Sequence, residues 1–312
     1  MNWRLKAALQ RACDLIPVGK QKVYRQLQLH CGGLVREYDH RFLLSETARM
    51  LSMLREVGFT VEGAVVMEVG TGWRLDMPIA LYLCGAEKVI TFDINRYLVS
   101  SLTLDSVRYI VNNAEKIRDI FNGIESSRFE QRIARLRRVR TIDDLFREAQ
   151  IEYHAPCDCA RTNLSDHSID LHYSYTVLEH IAAPALVSIL QEANRLLSPR
   201  GFAFHHIDLG DHFAQVDPAI TTANFLQFSE TAWRRYAGTP WSYHNRLREY
   251  EYRELFDRVP QEVVSWKPYV DSRSLETLKS GFSLAPQYRD QSPEVLSVSI
   301  LDVISRPPSS QL

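Results

Sequence analysis

Two apolar runs separated by a glycine turn constrain this chain more than any other feature. Residues 64–69 read AVVMEV and residues 88–93 read KVITFD. Each has the length of one strand and is apolar on both faces, as a strand buried between two helical layers must be. Between them, Gly70-Thr71-Gly72 breaks the first strand, and residues 74–84 form an expected helix closed by Gly85. Pro78 is tolerated because it lies in the first turns of that helix. Strand, helix and strand at this spacing make a βαβ unit and require parallel pairing. The turn is also a ligand signal. Gly70 and Gly72 lack Cβ, so the backbone can bend sharply and approach a bound group. The helix that follows offers free N–H groups to an anion. Asp93, about 20 residues on, can accept hydrogen bonds from two ribose hydroxyls. A nucleoside cofactor is the ligand this pattern serves.

The remaining elements extend the unit into one α/β protein. Residues 1–60 read as an N-terminal helical extension or cap, with helices over 2–14, 20–30 and 37–57 broken by Pro17, Gly19 and Gly32-Gly33. Residues 61–312 read as the main domain, with helical insertions at about 95–150 and 210–248. Further strands are expected at 151–154, 168–175 and 201–209. A helix striped with Ala185, Leu186, Ile189, Leu190, Ala193 and Leu196 spans 183–197 and ends in a turn at Ser198-Pro199-Arg200-Gly201. A helix near 249–257 and strands near 262–267 and 296–303 complete the count. Both insertions are expected to form a lid over an acceptor, with Phe213, Phe225, Trp233 and Tyr243 excluding water.

Charge and cysteine content narrow the function. Lys and Arg total 37 against 38 Asp and Glu, so no overall field favours nucleic acid. RFEQRIARLRRVR (128–140) is arginine-rich, but a solvated helix face is its simpler reading. Five cysteines, an odd number, form neither a disulfide framework nor a paired zinc pattern, and a reducing cytoplasm is the expected setting. No run of 18 apolar residues occurs, so no transmembrane segment is expected. The first helix is amphipathic, with Leu5, Leu9 and Cys13 on one side. Packing onto the body is the expected use of that side, and peripheral membrane contact is the alternative. The sequence leaves the oligomeric state open.

EVGTG, FDIN, CDCARTNLSDHSIDLHYSYTVLEHI and LLSPRGFAFHHIDL, taken in order, resemble a class I S-adenosylmethionine-dependent methyltransferase over residues 64–208. The resemblance implies a Rossmann-like, seven-stranded, mostly parallel sheet with an antiparallel last strand and helices on both faces. It implies S-adenosyl-L-methionine as cofactor. Glu68, Gly70, Thr71 and Gly72 match the motif that wraps the methionine end. Asp93 matches the ribose-binding acid, with Ile94 beside the adenine. Asp158 and Cys159 match the adenine-contacting pair, and Ser174 and Tyr175 the strand end near the methyl donor. Arg74 departs from the family, which often has a third glycine there. A nicotinamide-dependent nucleotide-sugar enzyme is the rival reading. It would need a glycine at Leu75 and a Tyr-x-x-x-Lys pair after the fourth strand, and the chain has neither. A catalytically silent methyltransferase-like binding protein is the other alternative.

Outside the cofactor motifs, HHIDLGDH (205–212) carries the most chemistry. Strand alternation places His206 and Asp208 on one face at the carboxyl end of a parallel strand. Three readings compete, in this order: a general base or substrate contact, a hydrogen-bonded network, and a divalent-metal site. The expected catalytic set is His206 or His180 as base, with Asp208 orienting it; no metal is assigned. Asp211, His212, Asn245 and Arg246 are the expected substrate contacts. The DL-x-DH and HNRLR segments resemble methyltransferases encoded with bacterial surface-polysaccharide machinery. That resemblance implies polysaccharide biosynthesis and O-methylation of a sugar or other small polar acceptor.

Overall fold

The computed structural model describes residues 1–19, 23, 26, 38–121 and 123–308. The expected helix at 20–30 therefore lies almost wholly outside the described residues, as does Cys31. Seven strands form one sheet: β1 (Val65–Val69), β2 (Lys88–Phe92), β3 (Ile151–His154), β4 (Ile169–Tyr175), β5 (Leu197–Asp208), β6 (Glu262–Val270) and β7 (Val298–Arg306), in the order β3-β2-β1-β4-β5-β7-β6. The first five pair in parallel, and β7 runs antiparallel to both β5 and β6. This is the expected α/β sheet. The order reverses between β1 and β4, which opens a crevice at the strands' carboxyl ends.

The described residues form twelve helices: α1 (Trp3–Asp14), α2 (Phe42–Glu56), α3 (Asp76–Leu83), α4 (Ser100–Asn112), α5 (Ala114–Ile120), α6 (Ser126–Leu136), α7 (Ile142–Glu148), α8 (Ala183–Leu196), α9 (Glu230–Ala237), α10 (Glu249–Asp257), α11 (Ser272–Lys279) and α12 (Pro293–Leu296). α3 is buried along its whole length, which its DMPIALYL sequence permits because only its first residue is charged. One core joins α2 and the helices α3–α7 to β1 and β2 and to Leu171, Tyr173, Phe202 and Phe204 of β4 and β5. α8 and α10 cover the opposite face through Leu186, Leu190, Tyr252 and Phe256.

Three expectations change. Residues 95–150 are not a lid: Val107, Ile110, Phe129, Ile133 and Leu145 are buried in the main core, so this insertion is a structural layer. The turn at 198–201 is absorbed into β5. Ile169 pairs with Leu197 and Leu171 with Phe202, so the extra residues form an irregularity within the ladder. α1 buries Trp3, Ala7, Gln10 and Cys13 and leaves Leu5 and Leu9 half exposed, which rotates the buried side away from the expected one.

The cap is built from three separated segments. Trp3 of α1 sits among Phe213, Phe228, Trp233 and Tyr236, and the same cluster takes in Leu278, Tyr288 and Leu296. α2, by contrast, belongs to the main core. The two described helices of residues 1–60 thus pack in different places.

Candidate functional site

The glycine turn leaves β1 with Gly70 and Gly72 both at positive φ, +88° and +63°. A Cβ on Gly70 would meet the Val177 side chain at 2.4 Å, whereas one on Gly72 would meet nothing within 4 Å. Gly70 therefore serves close packing, and Gly72 borders open space. Asp93 closes the turn from β2. Its Oδ2 accepts from the Gly72 N–H at 3.0 Å and its Oδ1 from the Asn95 N–H at 2.8 Å. Each oxygen keeps a lone pair for a ribose hydroxyl. Burial raises the Asp93 pKa, and those two amides partly oppose the rise. Ile94 beside it is 63% exposed, an apolar surface open to a ligand. The Cys157 N–H donates to Asp93 O at 2.9 Å, which brings the loop after β3 to the same place. There Asp158 is exposed and Cys159 buried.

Three residues from the expected cofactor set, Glu68, Thr71 and Ser174, have their side chains committed inside the protein. Glu68 accepts from the Thr91 hydroxyl and, at 2.6 Å, from the Tyr173 hydroxyl, and so ties β1 to its neighbours on both sides. Desolvation raises its pKa to about 7 despite those two bonds. Thr71 joins the chain through its hydroxyl, 2.5 Å from that of Thr91. Ser174 Oγ lies 2.8 Å from His205 Nδ1 on the α8 face, so only its backbone is left for a methyl donor.

Arg74 does not crowd the turn. Its guanidinium donates to Leu102 O at 2.7 Å and to Ser106 Oγ at 2.9 Å, and lies 3.7 Å from the Tyr38 ring centroid. The side chain thus leaves the loop and fastens it to α4. Trp73 packs on Tyr97, at 5.3 Å between centroids.

At the ends of β4 and β5 the expected partners are exchanged. His206 does not pair with Asp208. Its Nδ1 is 2.6 Å from Asp302 Oδ1 on β7, and Arg49 of α2 contacts the same carboxylate. The other imidazole face stacks on Tyr175, 4.4 Å away and 11° from parallel. With Nδ1–H donating to Asp302, the lone pair is on Nε2. The Arg49 contact to Nδ1 at 3.1 Å is then a close approach within its ion pair with Asp302. Asp302 and Arg49 carry no expected role. A single acid in the apolar run SVSILDVI was the available signal.

Asp208 faces His212 instead, at 3.3 Å. Beside them lie His180 and His244, with ring centroids 5.0 to 6.2 Å apart among the three imidazoles. His244 is fully used: Nδ1 accepts from the Arg246 N–H and Nε2 donates to Asp208 O. His180 Nδ1 donates to Tyr243 O at 2.8 Å. Packing of the ring and the neighbouring His212 lower the His180 pKa, although one edge remains open to solvent. Glu179 precedes it, fully buried, with neither carboxylate oxygen hydrogen-bonded among the described residues.

Three of the expected substrate contacts are structural. Asp211 caps the short helix His212–Gln215 through the Phe213 N–H and accepts from Asn224. Asn245 donates to Leu178 O and Ile181 O, both at 2.9 Å. Arg246 donates to Phe225 O and Phe228 O and lies among Phe225, Trp233 and Tyr288. These bonds take up most of their donors and acceptors and shape the loops, while Arg246 Nε is buried without a hydrogen bond among the described residues. Of the lid aromatics, Phe213, Phe225 and Trp233 are buried in the cap, and Tyr243 is 38% exposed. Of the four expected substrate contacts, His212 stands in the imidazole group with His180 and His244.

The arginine-rich helix stands elsewhere. Phe129, Ile133 and Leu136 bury one side of α6, and Arg132 donates to the carbonyls of Tyr82, Gly85 and Ala86 at the end of α3. It borders a cavity of about 440 Å³ at the amino-terminal edge of the sheet, opposite the glycine turn.

A family described as a methyltransferase domain matches residues 122–205. No curated protein matches the sequence. Similar solved structures include a protein from Pyrococcus horikoshii, at 12% identity over 92% of this chain and 99% of that one, with a TM-score of 0.48. Magnesium protoporphyrin IX methyltransferase from Synechocystis, solved with bound S-adenosylhomocysteine, has 11% identity over 98% of this chain and 100% of its own, with a TM-score of 0.47. A methyltransferase of Methanosarcina mazei has 11% identity over 81% and 96%, with a TM-score of 0.43. Scores of this size add nothing to the topology itself. The domain match and the sheet order together support a class I methyltransferase with S-adenosylmethionine as its cofactor.

Proposed function

We infer that this chain is a class I S-adenosylmethionine-dependent methyltransferase that O-methylates a sugar or another small polar acceptor. Gly70, Thr71 and Gly72 wrap the methionine end with their backbone, and Asp93 takes the ribose hydroxyls. Ile94, Asp158 and Cys159 border the adenine. Tyr175 and the Ser174 backbone flank the methyl donor. The acceptor lies across the carboxyl ends of β4 and β5, beneath the cap.

One observation carries the catalytic part: the His206–Asp302 pair at the end of β5, stacked on Tyr175. A carboxylate on Nδ1 fixes the tautomer and leaves Nε2 as the basic atom, the arrangement a general base needs. In the reaction, an acceptor oxygen forms a bond to the methyl carbon as the carbon–sulfur bond breaks. The hydroxyl proton passes to His206, and the products are a methyl ether and S-adenosylhomocysteine. Alignment of donor and acceptor supplies much of the rate. Asp302 replaces Asp208 as the orienting acid in this reading.

Calorimetry and turnover with a panel of sugars and small alcohols test it. His206→Ala keeps cofactor affinity and loses about 10²–10⁴-fold in kcat. Asp302→Asn lowers kcat with KM little changed. Full turnover by His206→Ala removes His206 as base. Binding of NAD without binding of S-adenosylmethionine would reinstate the nicotinamide alternative. Cofactor binding with no methylated product from any acceptor would favour the silent scaffold.

A further inference from the structure

We propose that Glu179, His180 and His212 form a divalent transition-metal site at the acceptor mouth, and that the ion's open positions hold the acceptor's oxygens. This deepens the methyl-transfer reading, since it rests on the acceptor lying at the ends of β4 and β5.

The three residues come from two short helices, Leu178–His180 after β4 and His212–Gln215 after β5. One ligand atom from each lies within 4.8 Å of the others. Ligands about 2.1 Å from a single ion sit at most about 4.2 Å apart, so the set closes by a fraction of an ångström on binding. Two imidazoles and one carboxylate leave open positions and suit zinc, cobalt, iron or nickel better than magnesium or calcium, which prefer oxygen ligands.

The surroundings point to a cation. Glu179 is fully buried, and neither carboxylate oxygen has a formed hydrogen bond; only its own amide and that of Asp208 lie near. The charged side chain acting on it is Asp208, also negative. Among the described residues, neither arginine of the 246–248 segment forms an ion pair with Glu179 or Asp208, and both donate to backbone carbonyls. Arg248 is spent on Leu209 O, Leu296 O and Val298 O, and Arg246 on Phe225 O and Phe228 O. His212 Nε2 is likewise buried without a hydrogen bond, because Asp208 at 3.3 Å is out of alignment.

The support around the site is that of a held ligand set. His180 Nδ1–H donates to Tyr243 O, which leaves the lone pair on Nε2. Asn245 takes Glu179 O on its backbone N–H and the carbonyls on either side with its side chain, so the loop carrying Glu179 and His180 is clamped. A bound ion would polarise the acceptor hydroxyl as a Lewis acid, and the proton would still pass to His206.

Cobalt tests the proposal directly. The full-length protein, stripped with chelator and desalted, is titrated with Co²⁺ and followed by its visible absorption, with Zn²⁺ competition and calorimetry. One equivalent with micromolar or tighter affinity is expected. Glu179→Gln and His212→Ala should each weaken binding at least 10²-fold while leaving S-adenosylmethionine affinity unchanged, which shows that the variants are folded. Absence of cobalt binding, or one equivalent retained by the His180→Ala/His212→Ala double variant, overturns it. The spectrum needs no turnover. A wrong acceptor class leaves the cobalt result standing, and a failed cobalt titration leaves methyl transfer standing.

Discussion

At the scale of single residues, the two turn glycines separate packing from ligand access. Gly70→Ala would drive a methyl into Val177 at an unfavourable φ, and should cost about 2–4 kcal/mol in denaturant unfolding. Gly72→Ala meets open space and should cost about 1 kcal/mol for its φ alone. Its loss should instead appear in calorimetric cofactor affinity. Equal stability losses in the two variants would contradict this division. Glu68 makes a second prediction. Its folded pKa of about 7 lies above the ordinary 4.5, so the fold binds this proton more tightly than the unfolded chain. The resulting stability is fully present below about pH 4.5 and is lost as pH rises through 7. Between pH 5 and 8 the protein should lose about 2–3 kcal/mol relative to Glu68→Gln. A pH-independent difference would mean that Glu68 is ionised throughout. The glycines, Asp93 and the histidines were visible as residues in the sequence. The partner of His206 was not, because Asp302 is 96 residues away and reaches it only through antiparallel pairing of β5 with β7.

At the scale of elements, period and run length located every strand and the helices α1, α2, α3, α8 and α10, whereas α4–α7 and α9 were expected only as parts of helical insertions and α11 and α12 were not expected. The buried strands announce themselves as apolar runs, and α8 by its stripe. The misplaced pieces have identifiable causes. The Ser-Pro-Arg-Gly segment has turn chemistry, yet pairing of Leu197 with Ile169 draws it into β5. α11 is short and polar and α12 is a single turn, and each buries one leucine, Leu278 and Leu296, in the cap cluster. The arginine-rich α6 shows how one residue can dominate a charged face. Arg132 adds charge-assisted bonds to the Tyr82, Gly85 and Ala86 carbonyls beyond the backbone bonds that Tyr82 O and Gly85 O already accept, so Arg132→Ala should lower stability by about 1–3 kcal/mol. Arg137→Ala, on the exposed side, should change it by less than about 0.5 kcal/mol. Thermal melts of the two variants measure the contrast; indistinguishable melts would refute the carbonyl-cap role.

At the scale of the whole molecule, the cap cluster around Trp3 is separate from the clusters that flank the sheet. Trp3→Ala should remove about 3–5 kcal/mol from the cap cluster, where Trp3 touches four aromatic rings. Hydrogen exchange should then rise in 212–237 and 272–296 while β1, β2 and β4 stay protected. Uniform loss of protection would mean that the two cores unfold as one. Among the described residues no helix is long and apolar enough to cross a membrane.

The sequence by itself determined the parallel sheet, the glycine turn and the acid that faces it, because these are local: a run of apolar residues, a missing Cβ, a fixed spacing. Tertiary structure alone decided which side chains remain available for chemistry. It sent Arg74 away from the turn, spent Arg246 and Asn245 on backbone carbonyls, and gave His206 to Asp302. It also left the Glu179 carboxylate buried near His180 and His212 with no hydrogen bond among the described residues. A side chain's availability depends on every polar group packed around it, and those groups are brought together only when distant segments close on one another.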